Sequence, residues 1–350
     1  MENPDFNLLK KLSETPGVSG FETPIRNIIK KEIEGIADTI TIDNMGNLTA
    51  HIKGKTNKKL MVAAHMDEIG FIVTHIDDHG FVRFTTLGGF DPKTLTSQRV
   101  VLHGKKDIVG VMGSKPIHVM DDEEKKKNPK IKDYFIDTGM TKEAVEEIIE
   151  PGTPVTRERD CIRMGDCING KSMDNRVSVF VLIESLKQLK GKSLPYDLYA
   201  VFTVQEELGL RGAHVAALEI EPDFGIAVDT TIAFDVPGAQ AHEMVSKLGE
   251  GTAIKLMDSM AVADERMIRY MKETANSNKI KYQTEIMAAG GTDTAFIQRM
   301  NKSGAIAGAI SIPTRHIHQV VESVHEKDVL GSIELLSACI LDIDKGNWEY

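Results

Sequence analysis

Two adjacent carboxylates, Glu206 and Glu207, follow the apolar run Tyr199-Ala200-Val201-Phe202-Thr203-Val204 and shortly precede Gly209. Such a run reads as a buried strand, and buried strands do not ordinarily close on paired acids. Adjacent side chains leave a strand in different directions, so one acid can hold a metal ion while the other faces substrate. A carboxylate beside a metal-activated water is the general base that hydrolysis needs. Three more apolar runs lead to residues of similar type. Residues 59–64 deliver His65 and Asp67, residues 224–228 deliver Asp229, and residues 305–312 are followed by Arg315-His316-Ile317-His318. Asp174 stands just before a helical stretch.

Two histidines with several carboxylates and no cysteine suit borderline or hard divalent ions such as zinc, cobalt or manganese. A ligating imidazole usually passes its other N–H to a carboxylate, and Asp67 is spaced to serve His65 in that way. Only one of His316 and His318 need be a ligand, and nothing local decides which. Gly290-Gly291-Thr292-Asp293 can bring backbone close to a bound molecule, although a plain turn has the same composition.

These residues are useful together only if the strands that carry them run side by side. Strand-like and helical segments alternate over residues 171–341, which predicts an α/β domain with a mainly parallel sheet covered on both faces. Ligands to such a sheet sit at the C-terminal ends of its strands. The N-terminal part adds a helix over 6–12 and a second helix with Thr23 as N-cap and Pro24 at its first position. A hairpin follows, from residues 39–43 and 48–52. Between residues 69 and 168 the segments are short and strand-like, which predicts a barrel or sandwich. The charged stretch 121–132 reads as a surface loop, and Thr141 caps a helix over 141–149. The expected organisation is an α/β domain from residues 1–68 and 169–350, interrupted by a β-rich insertion over 69–168.

The chain has 350 residues, which suits two such units. Its formal charge of −10 argues against nucleic acid and anionic membranes as partners. No apolar run approaches the ~18 residues of a membrane span. Met1-Glu2-Asn3-Pro4-Asp5 shows neither the basic nor the apolar part of a secretory signal. Three cysteines, Cys161, Cys167 and Cys339, do not make a disulfide framework. A cytoplasmic setting is expected.

The set His65-x-Asp67, Ser172-Met173-Asp174-Asn175-Arg176, Glu206-Glu207, Asp229, Gly290-Gly291-Thr292-Asp293 and Pro313-Thr314-Arg315-His316-Ile317-His318 resembles the TET-type dinuclear metallo-aminopeptidases. That family includes glutamyl, leucyl and deblocking aminopeptidases, some once labelled endoglucanases. Gly88-Gly89-Phe90-Asp91-Pro92 and Gly113-Ser114-Lys115-Pro116 look like the family too, so the resemblance runs through almost the whole chain. It implies a phosphorylase/hydrolase-like α/β domain interrupted by a PDZ-like β-barrel. The barrel would build dimers that assemble into a hollow tetrahedral dodecamer.

The resemblance also implies roles. Asp174 would be shared by two divalent ions, with His65 and Asp229 completing one site and Glu207 and His318 the other. Glu206 would be the base acting on a bridging water, and peptides with a free N-terminus would be the substrates. Gly291, Thr292, Asp293 and His316 would lie along the substrate, with Asp67 behind His65. The chain departs from the family where His316 replaces a common Tyr, Asn175 a frequent acid and Gln319 a small hydroxyl residue. A related deacylase and a silent scaffold are the competing readings, but a silent relative is expected to lack a ligand or the base. A glycosidase relies on two carboxylates flanking a sugar bond, and histidine companions are foreign to that chemistry.

Overall fold

The computed structural model describes residues 5–350. Met1 to Pro4, on which part of the signal-peptide reading rests, lie outside them. The N-terminal segment holds α1 (Phe6–Glu14), α2 (Thr23–Glu32), the antiparallel pair β1 (Thr39–Ile42) and β2 (Leu48–Ile52), and β3 (Thr56–His65). Six strands then close into an antiparallel barrel: β4 (Gly70–Ile76), β5 (Val82–Leu87), β6 (Arg99–His103), β7 (Asp107–Gly113), β8 (Phe135–Asp137) and β9 (Pro154–Arg157). Two short helices, α3 (Asp122–Lys126) and α4 (Lys142–Glu146), lie on its connections. The charged stretch thus carries a helical turn, started by an Asp121–Glu124 capping box.

The chain returns to the large sheet with β10 (Ile162–Met164) and β11 (Cys167–Gly170). Residues 162–168, expected with the insertion, therefore pair outside the barrel, β11 lying against β17 (Glu322–His325). Between them run α5 (Met173–Leu189), β12 (Tyr196–Thr203), α6 (Arg211–Ile220), β13 (Phe224–Ile232), β14 (Thr252–Met257), α7 (Glu265–Ser277), β15 (Tyr282–Ile286), α8 (Thr294–Arg299) and β16 (Ile306–Arg315). The last helix is α9 (Glu326–Asp342). The sheet order is β1-β2-β12-β3-β13-β16-β17-β11-β10, with β14 and β15 joined to β16. Its centre, β12-β3-β13-β16, is parallel, and antiparallel strands flank it on both sides.

Register explains the site. Thr203 pairs with His65, and Ala227 pairs with Ala63, so Asp229 stands level with His65 two residues further along. Side chains alternate across a strand. Leu60, Val62 and Ala64 join the core under α5, α7 and α9, whereas Met61, Ala63, Val201 and Ala227 pack against Ala216, Ala217 and Ile297 of α6 and α8. His65 and Asp229 continue that second row. Both faces of the strands are covered, which is why their sequences are continuously apolar.

Two local expectations are corrected. Thr23 is not the N-cap of α2. Glu22 takes that position without capping the helix, because its carboxylate accepts from the backbone N–H of Gly20 (2.7 Å) and Gln205 (3.2 Å). Asp229 does not end its strand either: β13 continues to Ile232, paired with β16 as far as Thr314.

Candidate metal centre

The expected residues converge. His65 Nε2 lies 3.2 Å from Asp174 Oδ1, 3.6 Å from Asp229 Oδ1 and 3.8 Å from Glu206 Oε2. His318 Nε2 lies 3.3 Å from Asp174 Oδ2 and 3.3 Å from Glu207 Oε2. Asp174 thus turns one oxygen to each imidazole. Of the two C-terminal histidines, His318 reaches the acids while His316 sits exposed on the lining of the adjoining cavity.

The donors fit metal ions. His65–Asp174–Asp229 and Asp174–Glu207–His318 each offer ligand atoms within 4.8 Å of one another, and the two groups share Asp174. A third group, His65–Glu206–Glu207, meets the same limit. Asp174 Oδ1 and Glu207 Oε1 are buried without a hydrogen-bond partner among the described residues. Buried polar atoms are normally paired, and cations would satisfy both.

Electrostatics support the same reading. Burial pushes Glu206 well above the usual carboxylate range, with Asp229 and Glu207 pushing the same way against His65. Burial likewise raises Glu207 and Asp229. Burial alone would lower His318, but hydrogen bonds to Asp174 and Glu207 raise it to about 11. Burial would raise Asp174, yet His318 and His65 hold it far below its ordinary value. Crowded acids that repel one another and two cation-seeking imidazoles describe a site short of positive charge.

The backbone around these ligands is unusual. Ser172, Gln205, His316 and His318 have φ of 57°, 52°, 66° and 60°, although none is glycine. Left-handed residues of this kind gather at functional sites where surroundings over-determine them. Here four consecutive amides are each accepted by a buried side chain from the N-terminal segment. Val204 N–H donates to Asn47 (3.1 Å), Gln205 to Glu22 (3.2 Å), and Glu206 and Glu207 to Asp67 (3.0 and 3.3 Å). Asp67 also accepts from Ser19 Oγ at 2.6 Å and lies 3.4 Å from His65 Nδ1, which is still nearer the Asp67 carbonyl at 3.2 Å. Asp67 thus contacts the His65 ring and accepts the backbone amides of both glutamates.

Sequence reasoning missed Glu322, Glu68 and Arg157. Glu322 accepts from the backbone N–H of Asp174 (2.9 Å) and of His318 (3.1 Å), tying two candidate ligands together. Glu68 is fully buried and accepts from Lys171 Nζ at 2.6 Å, with Arg176 Nη2 at 3.5 Å. Arg157, from the last barrel strand, bonds Ser172 Oγ (3.2 Å) and the Gln319 carbonyl, binding the barrel to the ligand loops. The one local signal was Glu68 itself, a third polar residue in His65-Met66-Asp67-Glu68. Gly291 and Thr292 line the cavity beside the acids. Asp293 lies buried with Oδ2 accepting from Thr203 Oγ1 at 2.6 Å, and burial raises it to about 7. Asn175 is buried and donates to the Val228 carbonyl at 3.1 Å, which seats Asp174 against β13. From the barrel side, a Cβ on Gly89 would come 3.4 Å from His318 Nδ1, so the loop after β5 lies directly over that imidazole.

Residues 46–335 match the M42 glutamyl aminopeptidase family, and the chain belongs to that family. Membership makes it a hydrolase of peptide bonds, of the aminopeptidase class. It is 40% identical to a putative aminopeptidase of Acetivibrio thermocellus, over 97% of this chain and 100% of that one. Its fold matches the TET aminopeptidase of a marine-sediment Thaumarchaeota archaeon with a TM-score of 0.93 and 36% identity, covering 96% and 95% of the two chains. It also matches the Pyrococcus horikoshii TET1 peptidase, described as assembling into a tetrahedron or a large octahedral shell. There the TM-score is 0.86 and the identity 32%, over 96% and 99% of the chains. Among the described residues no helix is long and apolar enough to cross a membrane.

Proposed function

We propose that the chain is a dinuclear metallo-aminopeptidase that removes N-terminal residues from short peptides. The observation that carries this is Asp174, whose two oxygens lie 3.2 Å from His65 and 3.3 Å from His318. Asp174 would be shared by two ions, with His65 and Asp229 completing one set and Glu207 and His318 the other. Glu206 is left out of both sets because it stands farther from His65 than Asp174 or Asp229 does. Zinc suits these nitrogen and oxygen donors, as do cobalt and manganese. When bound, the ions polarise the scissile carbonyl and acidify the attacking water.

The rest is done by the chain. Glu206 takes the proton of the attacking water and returns it to the leaving amine. Its burial and its acidic neighbours raise its proton affinity, the direction a general base needs. Asp67 holds the Glu206 backbone and the His65 ring, so base and ligand keep a fixed relation. The substrate peptide runs past Gly291, Thr292 and His316.

The large sheet with its helices, residues 1–68 and 169–350 together with β10 and β11, acts as the catalytic unit, and the barrel of β4 to β9 inserted within 69–168 as the oligomerisation unit. Dimers assembling into a tetrahedral dodecamer are in keeping with the TET1 peptidase and with the exposed apolar Val109, Val111, Ile117 and Val119 on and after β7. The acidic balance leaves nucleic acid and membranes aside as partners, and three free cysteines suit the cytoplasm.

The test is peptide hydrolysis by metal-free protein reconstituted with zinc, cobalt or manganese. A leucyl tripeptide with a free amine is expected to release leucine, and its N-acetyl form to stay intact. Cleavage of the acetylated form, or of neither, contradicts the reading.

A further inference from the structure

Beside the ligands lies an open cavity of about 980 Å³. Its lining includes the apolar side chains of Ile232, Phe234, Met260, Met287 and Ile317. Three of these are left with large apolar exposure, Ile232 at 40%, Phe234 at 40% and Met260 at 42%. Apolar surface that the fold itself could have buried marks a contact for something else. The wall is held in place. Asp235, next to Phe234, receives Arg315 through two bonds of 2.7 Å and the Leu248 N–H at 3.0 Å. Gly290 and Gly291 let the two methionines close on the backbone, since added Cβ atoms would lie 2.7 Å from Met287 Cε and 2.6 Å from Met260 Sδ.

Apart from the metal-centre residues, the one full charge among the described lining residues is Lys255. It is already engaged, with Nζ 2.5 Å from Glu285 Oε1 and 3.7 Å from Asp258 Oδ2. All three side chains are buried, so the ammonium is outweighed by two carboxylates at close range. An acidic side chain against this wall would meet no free side-chain cation, because Lys255 is already paired. A basic one would find no free carboxylate on the wall, because Glu285 is fully buried and is not among the lining residues.

Resting on the aminopeptidase reading, we infer that this cavity receives the N-terminal side chain of the substrate. It selects a flexible apolar residue such as leucine or methionine, and Lys255 braces the wall without binding substrate. Burying an unpaired charge is disfavoured, while methionine side chains adapt to apolar partners of differing shape. The family's description names a glutamyl activity; the wall of this chain points elsewhere.

The experiment compares kcat/KM of the metal-loaded enzyme on leucyl, methionyl, alanyl, glutamyl and lysyl p-nitroanilides. Leucyl and methionyl substrates are expected to exceed glutamyl and lysyl ones by about 100-fold. A glutamyl or lysyl preference equal to or above leucyl overturns the inference. Release from none overturns the aminopeptidase reading, and this inference with it. Glu285→Gln frees the Lys255 charge and is expected to raise the glutamyl-to-leucyl ratio about 10-fold; an unchanged ratio in a folded variant overturns the bracing role. Met287→Ala is expected to lower the leucyl-to-alanyl ratio about 10-fold, and no change there removes Met287 from the wall that selects.

Discussion

Asp67 shows how much one carboxylate can organise. It accepts the backbone N–H groups of Glu206 and Glu207 and the Ser19 hydroxyl, and it faces His65. Burial would raise it, but the hydrogen bond and charge of His65 hold it below its usual range, so it stays ionised. Partners of this kind behind a ligand are worth ~10–100-fold in metal affinity. Asp67→Ala is therefore expected to weaken metal binding by about that factor, measured by competition with a chromogenic chelator. Unchanged affinity would separate Asp67 from the centre. His65, Glu206, Glu207 and Asp229 stood out in the sequence because polar groups at the ends of apolar runs are conspicuous, whereas Asp174 precedes a helical stretch and only the family resemblance separates His318 from His316. Glu322 and Glu22 did not, since their partners are backbone amides of segments far away in the chain. No spacing announces a carboxylate aimed at a distant N–H.

At the scale of elements, the ligand loops hang from a buried ionic hub. Glu68, just past β3, meets Lys171 and Arg176 at the start of α5, with Arg157 of β9 at 3.9 Å. Burial would raise Glu68, but Lys171, Arg176 and Arg157 hold it at about 2. A carboxylate depressed in the folded state contributes stability that is complete above its unfolded value, 4.5, and is lost as pH falls towards about 2. Removing one partner of such a group costs ~3–5 kcal/mol. Glu68→Gln is expected to unfold at lower denaturant at pH 7 by about that margin, and the gap should narrow at pH 3. An equal gap at both values would refute the account of the hub. The same elements show where local patterns mislead. The Thr23-Pro24 pair looks like a helix start, yet the position before it belongs to Glu22, whose carboxylate is committed to Gly20 and Gln205. Strand β13 runs past Asp229 because Thr230 to Ile232 keep pairing with β16; a period-based reading stops at the first charge.

At the scale of the molecule, the parallel centre was legible and the flanks were not. Continuous apolar runs announce strands buried on both faces, and β12, β3, β13 and β16 are such strands. The short strands β10 and β11 have the texture of the barrel strands before them, and only long-range pairing with β17 assigns them to the large sheet. The alignment of β3, β12 and β13 brings candidate ligands from three strand regions to one level, and Arg157 and the Gly89 loop join the barrel to them. The account's central claim is that five side chains hold two ions while Glu206 moves the proton. The direct measurement is metal content by elemental analysis beside turnover of a leucyl substrate, for the wild-type chain and Glu206→Gln. The claim predicts about two ions per chain in both and turnover lower by ~10²–10⁴-fold in the variant. Full activity in Glu206→Gln, or a wild-type chain that saturates with one ion, would contradict it.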